Sequence, residues 1–283
     1  MHLSKIDYQI FSIPKEWGLD FIQKYHYSPM MPKLTKHYLG FYVEDELKGV
    51  LTLGWGTQPR QTINKLFPSL DTNHYFEIGK MCIAPELNKT NAGSQLLSAT
   101  IRWMKQNTDC LFLYTLGDGI MGKCGYVYQS ANFYYGGKYW TECYIMDNGE
   151  KVHIRSVGEL TKLDTVQKNK ELVKTKGFQL GKSVKRSTRL SYDFMKKKRI
   201  RNIEGLMFRY IYPLNKNAKR LMEDGSNFLW NQNNYPKEED LEWMDTTDKK
   251  NKTKIKRPSF SFENVKYNSI QQTSGSTLDS FFF

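Results

Sequence analysis

A chain of 283 residues is long enough to bury a sizeable core, as one large domain or two small ones. Its 42 Lys and Arg against 29 Asp and Glu leave a formal net charge of +13, which points to a polyanionic partner, nucleic acid ahead of an anionic membrane surface. No apolar run reaches the length of a membrane span, and the opening MHLSKIDYQI lacks the basic-then-apolar layout of a signal peptide, so a cytoplasmic protein with no membrane partner is expected.

The first 158 residues alternate between strand and helix patterns. YLGFYVEDELKGVLTLGWG is two short apolar strands joined by a charged turn at Glu44 to Lys48, a hairpin signal. FEIGKMCIA is a third strand. Past Pro85 and the polar loop ELNKTNAGS comes QLLSATIRWMKQ, where Leu96, Leu97, Ile101 and Met104 recur at helical spacing. CLFLYTL is a continuous apolar run, as in a strand buried on both faces. These elements imply an α/β fold with a mixed central sheet flanked by helices, one helix crossing between two central strands. Cys82, Cys110, Cys124 and Cys143 are scattered without a C-x-x-C pair. That indicates neither a zinc knuckle nor a disulfide framework, and leaves reduced thiols in or near the core.

From Glu159 to Arg220 the chain carries 18 Lys and Arg against 5 Asp and Glu, interleaved with Phe178, Tyr192, Phe194, Phe208 and Tyr210. A solvated lysine face accounts for the charge alone; the aromatic interleaving is what a phosphate-tracking, base-stacking surface needs. Lys185, Arg186, Arg189, Lys196, Lys197, Lys198, Arg199, Arg209 and Tyr210 are the candidate contacts to nucleic acid. Beyond Met222 apolar periodicity fades, and TTDKKNKTKIKRPSFSF to QQTSGST has the composition of a flexible linker. The division expected is a catalytic core at 1–158, a basic nucleic-acid-binding extension at 159–222, a linker at 223–275 and a terminal peptide at 276–283.

The stretch DGIMGKCGYVYQSANFYYGG, Asp118 to Gly137, is too polar and glycine-rich for a core helix and too aromatic for a solvent loop. Asp118 falls just past a buried strand, where open sheets gather reactive groups. Tyr128 and Asn132, one helical turn apart, would share a face. Gly122 and Gly125 either let backbone approach a ligand or cap a turn.

HYS at His26 to Ser28, MPKLTKHYLGFYVEDELKGVLTLGWG, FEIGKMCI, then D-x-x-x-G-x-x-G-x-x-YQ-x-x-NF, and later FRYIYPLNKNAKR resemble, in that order, the Mom family of phage DNA-modification enzymes. The resemblance covers most of residues 20 to 222. It implies a fold similar to the GNAT acyltransferases and an enzyme that converts the exocyclic N6 amine of adenine in DNA to a carbamoylmethyl-bearing form, in the cytoplasm of an infected host cell. It also implies catalytic roles for His26, Tyr27, Lys80, Asp118 and Tyr128. Lys80 stands where the family pattern has arginine, which keeps the charge but loses the bidentate fork, and Lys123 stands where a histidine is frequent. Asn91, Gly93 and Ser94 occupy the place of the coenzyme A pyrophosphate loop. Of that loop's glycine pattern only Gly93 survives in N-K-T-N-A-G, so acetyl-CoA is disfavoured and the donor stays open. His26 and Asp118 with a tyrosine are also the ligand types of a ferrous site.

Adenine N6 is a poor nucleophile, its lone pair delocalised into the ring. Asp118 or His26 would accept its proton while Tyr27, Tyr128 or Lys80 steadies charge on the donor. The paired base must leave the duplex, and Tyr128, Phe133, Tyr134 and Tyr135 offer a stacking surface. STLDSFFF resembles the terminal peptides by which phage replication proteins bind the ring-shaped sliding clamp, with Leu278, Phe281 and Phe282 filling one apolar pocket; a tail folded back on the core is the plainer account. Two further readings compete with the DNA-modifying transferase: a GNAT-like acyltransferase acting on a protein or small amine, and a non-enzymatic DNA and clamp adaptor.

Overall fold

The computed structural model describes residues 7–27, 31–56, 58–153 and 190–261. It is a mixed α/β structure in two compact units. The first holds residues up to Tyr139 together with Met207–Asp240; the second holds Trp140–Leu206 and Leu241–Asn264.

In the first unit, strands β1 (Gln9–Ser12), β2 (Leu34–Val43), β3 (Glu46–Trp55) and β4 (Tyr75–Ile83) pair antiparallel in succession. The expected hairpin is β2–β3, and its turn is tight: Glu44 and Asp45 both take left-handed φ, at 50° and 62°. Strand β4 lies parallel to β5 (Phe112–Asp118), with the helix α3 (Ala92–Asn107) crossing between them. Leu96, Leu97, Ile101 and Met104 are buried along one stripe of that helix, as their spacing requires, and Thr108 Oγ1 closes its end by donating to Met104 O at 2.8 Å. Strand β5 is mostly buried and is interior to the sheet: residues Phe112 to Asp118 pair antiparallel with Pro213 to Met207, in the C-terminal half of strand β8 (Arg201–Pro213).

Helices cover both faces. On one, α2 (Pro59–Leu66) and α6 (Lys216–Asp224) pack Ile63, Leu66, Ala218 and Met222 onto Tyr75, Phe112 and Ile211, with Phe67 stacked on Phe112 at 4.4 Å. On the same face α1 (Lys15–Tyr25) buries Leu19, Phe21 and Ile22 against Tyr38, Tyr42, Val50 and Cys82, while α3 covers the opposite face, its Trp103 against His37 and His37 against Phe76. Each such side chain contributes about 1.5–3 kcal/mol by leaving water. All four cysteines are free and buried, and burial pushes the Cys82 thiol up to about 12. Among the described residues no helix is long and apolar enough to cross a membrane.

Two boundaries expected from composition move. Residues 207–222 are part of the first unit rather than of a basic extension, because half of β8 is a strand of its sheet. The stretch 223–240 is not a flexible linker either. Asn227 donates to Lys65 O at 3.0 Å, Trp230 Nε1 to Ser226 Oγ at 2.7 Å, and Tyr235 OH hydrogen-bonds Phe133 O. A Cβ at Gly136 would run into the Trp230 indole, so the glycine makes room for it. Single aromatic anchors hold this segment, which periodicity cannot register.

In the second unit, β7 (Lys151–His153) pairs with Cys143–Ile145 of strand β6 (Tyr134–Ile145), and β9 (Trp243–Asp245) pairs both with residues 203–205 of β8 and with β10 (Thr253–Ile255). Tyr144, Leu190, Ile200 and Met195 of helix α5 (Tyr192–Lys198) form its small core, and Ser191 caps α5 by accepting from Phe194 N at 3.3 Å. Lys185, Arg186 and Arg189 lie outside the described residues, as do Leu278, Phe281 and Phe282.

Candidate active site

Strands β4 and β5 pair over only three positions, Tyr75–Glu77 against Phe112–Tyr114, and then separate. The register of β4 against β3 slips at the same place: Leu53 faces Ile78 but Thr52 faces Lys80, so Gly79 is an extra residue. A Cβ at Gly79 would lie 3.0 Å from Thr52 Oγ1, and that oxygen accepts from Lys80 N at 2.9 Å, which locks the bulge. The extra residue shifts the inside–outside alternation by one and lets Lys80 follow Glu77 toward the opening between the strands.

That opening is a cavity of about 640 Å³, within the range of small-molecule sites. His26, Tyr27, Lys80, Asp118 and Tyr128 all line it, brought from the end of α1, from β4, from the end of β5 and from the short helix α4 (Tyr126–Ser130). His26 leaves α1 in extended conformation, its N–H still bonded to Ile22 O at 2.8 Å, and its ring stacks on Tyr27 at 4.4 Å. Asp118 is the last residue of β5 and caps the following turn: its Oδ1 accepts from Met121 N at 3.3 Å. Left-handed Gly122 (φ 73°) and Gly125 (φ 93°) then turn the chain into α4, which carries Tyr126 and Tyr128.

Electrostatics tie three of these groups together. Burial raises the Tyr27 hydroxyl above its ordinary value near 10, and the charge of Asp118 and the neighbouring Tyr128 raise it further. Tyr27 as a whole residue is nevertheless 39% exposed. Tyr128 is raised in the same way by burial and by Asp118, against a hydrogen bond with Thr115 that favours its anion. Both phenols therefore stay protonated beside a carboxylate, which suits hydrogen-bond donation to a developing oxyanion.

Tyr75, Tyr114 and Tyr210 are likewise raised, chiefly by burial. A group held protonated in the fold adds stability that is complete below its unfolded value and is lost as pH climbs toward the folded one. Stability should hence fall as pH rises past about 10, and phenolate absorbance in the folded protein should lag that of the unfolded chain. Superimposable phenolate titrations of the folded and unfolded chain would contradict this.

Residues 7–237 match the Mom protein family. This chain belongs to the Mom family. No curated protein matches it. Solved structures with a detectable likeness include a GNAT-family N-acetyltransferase of Escherichia coli, at 12% identity over 46% of this chain and 70% of that one, TM-score 0.34. A spermidine N-acetyltransferase of Vibrio cholerae aligns at 13% identity over 50% and 85%, TM-score 0.34. An arylalkylamine N-acetyltransferase 7 of the yellow fever mosquito aligns at 11% over 74% and 89%, TM-score 0.36.

In this Mom-family chain the residues expected at a coenzyme pyrophosphate do not form a cradle for one. Asn91, Gly93 and Ser94 sit at the start of α3 but do not line the cavity. The Ala92 amide is engaged by Thr90 Oγ1 at 3.2 Å, and Ser94 Oγ donates to Asn91 O at 2.9 Å. A Cβ at Gly93 would lie 3.1 Å from Val127, so the glycine lets α4 pack on α3. Among the described residues, Asn91 Oδ1 and Gln95 Oε1 are buried there without a partner, and acceptor oxygens are poor company for phosphate. As for a metal, no group of three or more His, Cys, Asp or Glu among the described residues is placed to hold an ion.

Other expectations change. Arg209 and Tyr210 are interior, 8% and 0% exposed, rather than on a nucleic-acid surface. The Arg209 guanidinium lies between Tyr139 and Phe228, 4.4 and 4.6 Å from their centroids, and Tyr210 accepts from Gln129 Nε2 at 3.0 Å. Lys196, Lys197, Lys198 and Arg199 are exposed at the end of α5. Of the expected stacking run Tyr128 alone lines the cavity: Phe133 is fully buried between Tyr128 and Tyr212, and Tyr135 packs on Phe208 and Tyr210. Asn132 does not share a helical face with Tyr128, because α4 ends at Ser130 and Asn132 is left-handed at φ 58°.

Three cavity residues escaped the sequence reading. Glu77 accepts from Tyr75 OH at 3.1 Å and sits against Gly56, whose Cβ would be 3.1 Å from its Oε2. Its signal was present: with Lys80 it is one of two charges inside a largely apolar strand. Trp55, fixed by Nε1 donating to Tyr75 O at 2.9 Å, ends β3. Glu238 arrives from the segment that composition assigns to a linker and left no signal.

Proposed function

We propose that the protein is a transferase that modifies the exocyclic N6 amine of adenine in DNA, adding a small acyl or carbamoylmethyl-type group. The observation that carries this reading is the convergence of His26, Tyr27, Lys80, Asp118 and Tyr128, from four separate elements, on one cavity; membership of the Mom family supports it. The carboxylate of Asp118 takes the N6 proton as the nitrogen attacks, with His26 as the other base within the cavity. For an acyl donor the protonated hydroxyls of Tyr27 and Tyr128 and the ammonium of Lys80 hold the carbonyl oxygen as it gains charge, and the adduct collapses by expelling the donor's leaving group. For a carbamoylmethyl donor N6 attacks the methylene carbon, the bond from that carbon to the leaving group breaks, and the same donors hold the amide oxygen in place. N6 is paired in a duplex, so the base must swing out. Phe133, Tyr134 and Tyr135 do not line the cavity, whereas Tyr126, 51% exposed, and Trp55 do and can stack on the base.

Nucleoside mass spectrometry of DNA from cells expressing the protein tests the reading. A deoxyadenosine of increased mass is expected, and DNA of unaltered nucleoside composition would refute it. Recruitment to the replication sliding clamp through Leu278, Phe281 and Phe282 is part of the same proposal and rests on the sequence of the tail. Calorimetry of a peptide spanning Gln272 to Phe283 against the clamp should give heat that Phe281→Ala removes; an athermal titration without competition by the full chain would retire the idea.

A further inference from the structure

The second unit contains a concavity that the transfer chemistry does not use. The turn of the β6–β7 hairpin (Met146, Asp147, Gly149), the junction of α5 with β8 (Arg199, Arg201) and the segment Ile255 to Ser259 enclose about 540 Å³. Four cations line it, Arg199, Arg201, Lys256 and Arg257, against the single carboxylate of Asp147. The packing is specific: Ser261 N donates to Gly149 O at 2.7 Å, which fastens the 255–261 segment to the hairpin turn. Arg199 reaches Asp147 at 3.4 Å and Arg201 reaches Asp245 at 3.8 Å, contacts that orient the two guanidinium groups but leave them 79% and 51% exposed.

Arg199 ends α5 in left-handed conformation, φ 52°, ψ 39°, with its N–H on Lys196 O. A left-handed residue at this position turns the chain from α5 into β8. Lys196, Lys197 and Lys198 have an ordinary structural use, complementing the C-terminal end of the helix dipole. Arg199, Arg201, Lys256 and Arg257 bring four cations to one hollow whose lining holds a single carboxylate, a concentration of positive charge that an anion complements.

We propose that this hollow seats the phosphates of a nucleic-acid backbone, through Arg199, Arg201, Lys256 and Arg257, independently of base sequence. Arginine forks match phosphate oxygens two at a time, and four cations spread along one hollow suit successive phosphates rather than one small anion. The proposal rests on DNA as the substrate, and its test is separable from the chemistry at adenine.

The test is equilibrium binding of the full chain to a duplex containing only G·C pairs, titrated with salt. No modification can occur on such a duplex, so failure of the adenine reading leaves this result untouched. Each phosphate contact contributes about 0.9 to the slope of log affinity against log salt. The variant Arg199→Gln/Lys256→Gln/Arg257→Gln should therefore lower the slope by roughly 2 to 3 and weaken binding at least tenfold at moderate salt. The charge-keeping variant Arg199→Lys/Arg257→Lys should retain the slope. A control removing equal charge from the first unit, Lys15→Gln/Lys65→Gln/Lys216→Gln, should change it by less than one. An unaltered slope in the first variant, an equal loss in the control, no duplex binding by the parent, or loss of binding to anionic phospholipid vesicles with duplex binding intact would each overturn the assignment.

Discussion

Asp118→Asn and Tyr128→Phe are each expected to reduce formation of a modified deoxyadenosine by about 10²- to 10⁴-fold, the scale of losing one proton-handling group. The two substitutions separate chemistry from architecture. Asparagine can still accept the Met121 amide that Asp118 holds at 3.3 Å, and it caps turns as well as aspartate does, so a merely structural Asp118 would tolerate the change. Phenylalanine keeps the ring contacts of Tyr128 with Phe133 and Tyr210, at 5.6 and 5.4 Å, and forfeits only the hydrogen bond with Thr115, about 0.5–1.5 kcal/mol. Asp118→Asn also has a signature that needs no substrate. Its charge helps to raise both Tyr27 and Tyr128, so the phenolate titration of those rings should move down when the charge goes. Full activity in both variants, with the tyrosine titration unmoved, would remove Asp118 and Tyr128 from the site.

The parts of the fold that were legible in the sequence are those where local pattern and tertiary place agree. The β2–β3 hairpin, β4, α3 and β5 each carry an apolar run or stripe matched to their own burial, and Asp118 follows from the end of β5. Arg209 and Tyr210 misled for the opposite reason. Alternating basic and aromatic residues read as a surface, yet the strand carrying them pairs with β5, and the guanidinium finds Tyr139 and Phe228, rings distant in sequence that no local window includes. The segment after Met222 failed to register because Phe228, Trp230 and Tyr235 act singly, each filling its own slot. At the candidate site the bulge at Gly79 decides which residues turn inward. It is set by a hydrogen bond to Thr52, 28 residues away, so the pairing of Glu77 with Lys80 in the cavity was beyond the alternation rule.

Gly125→Ala is expected to destabilise the first unit by about 2–5 kcal/mol, from two causes that a second glycine can separate. One is conformational: a left-handed alanine costs about 1–2 kcal/mol. The other is steric, for a Cβ at this position would lie 2.5 Å from Cε2 of Tyr210, a fully buried ring whose hydroxyl donates to Cys124 O and accepts from Gln129 Nε2. Overpacking of that kind costs about 1–3 kcal/mol. Gly137 has a similar φ of 82° but nothing within 4 Å of its would-be Cβ, so Gly137→Ala carries the conformational cost alone. The difference between the two, read from denaturant midpoints of the same unit, is the packing contribution of the wedge between Gly125 and Tyr210. In a Tyr210→Ala background that wedge is gone, and Gly125→Ala should then cost no more than Gly137→Ala does in the parent. Equal losses at both glycines in the parent, or an unchanged penalty at Gly125 without Tyr210, would show that the ring does not set the position of the loop. The expected result would show instead that the buried strand β8, through one tyrosine, fixes the turn that presents Tyr126 and Tyr128 to the cavity.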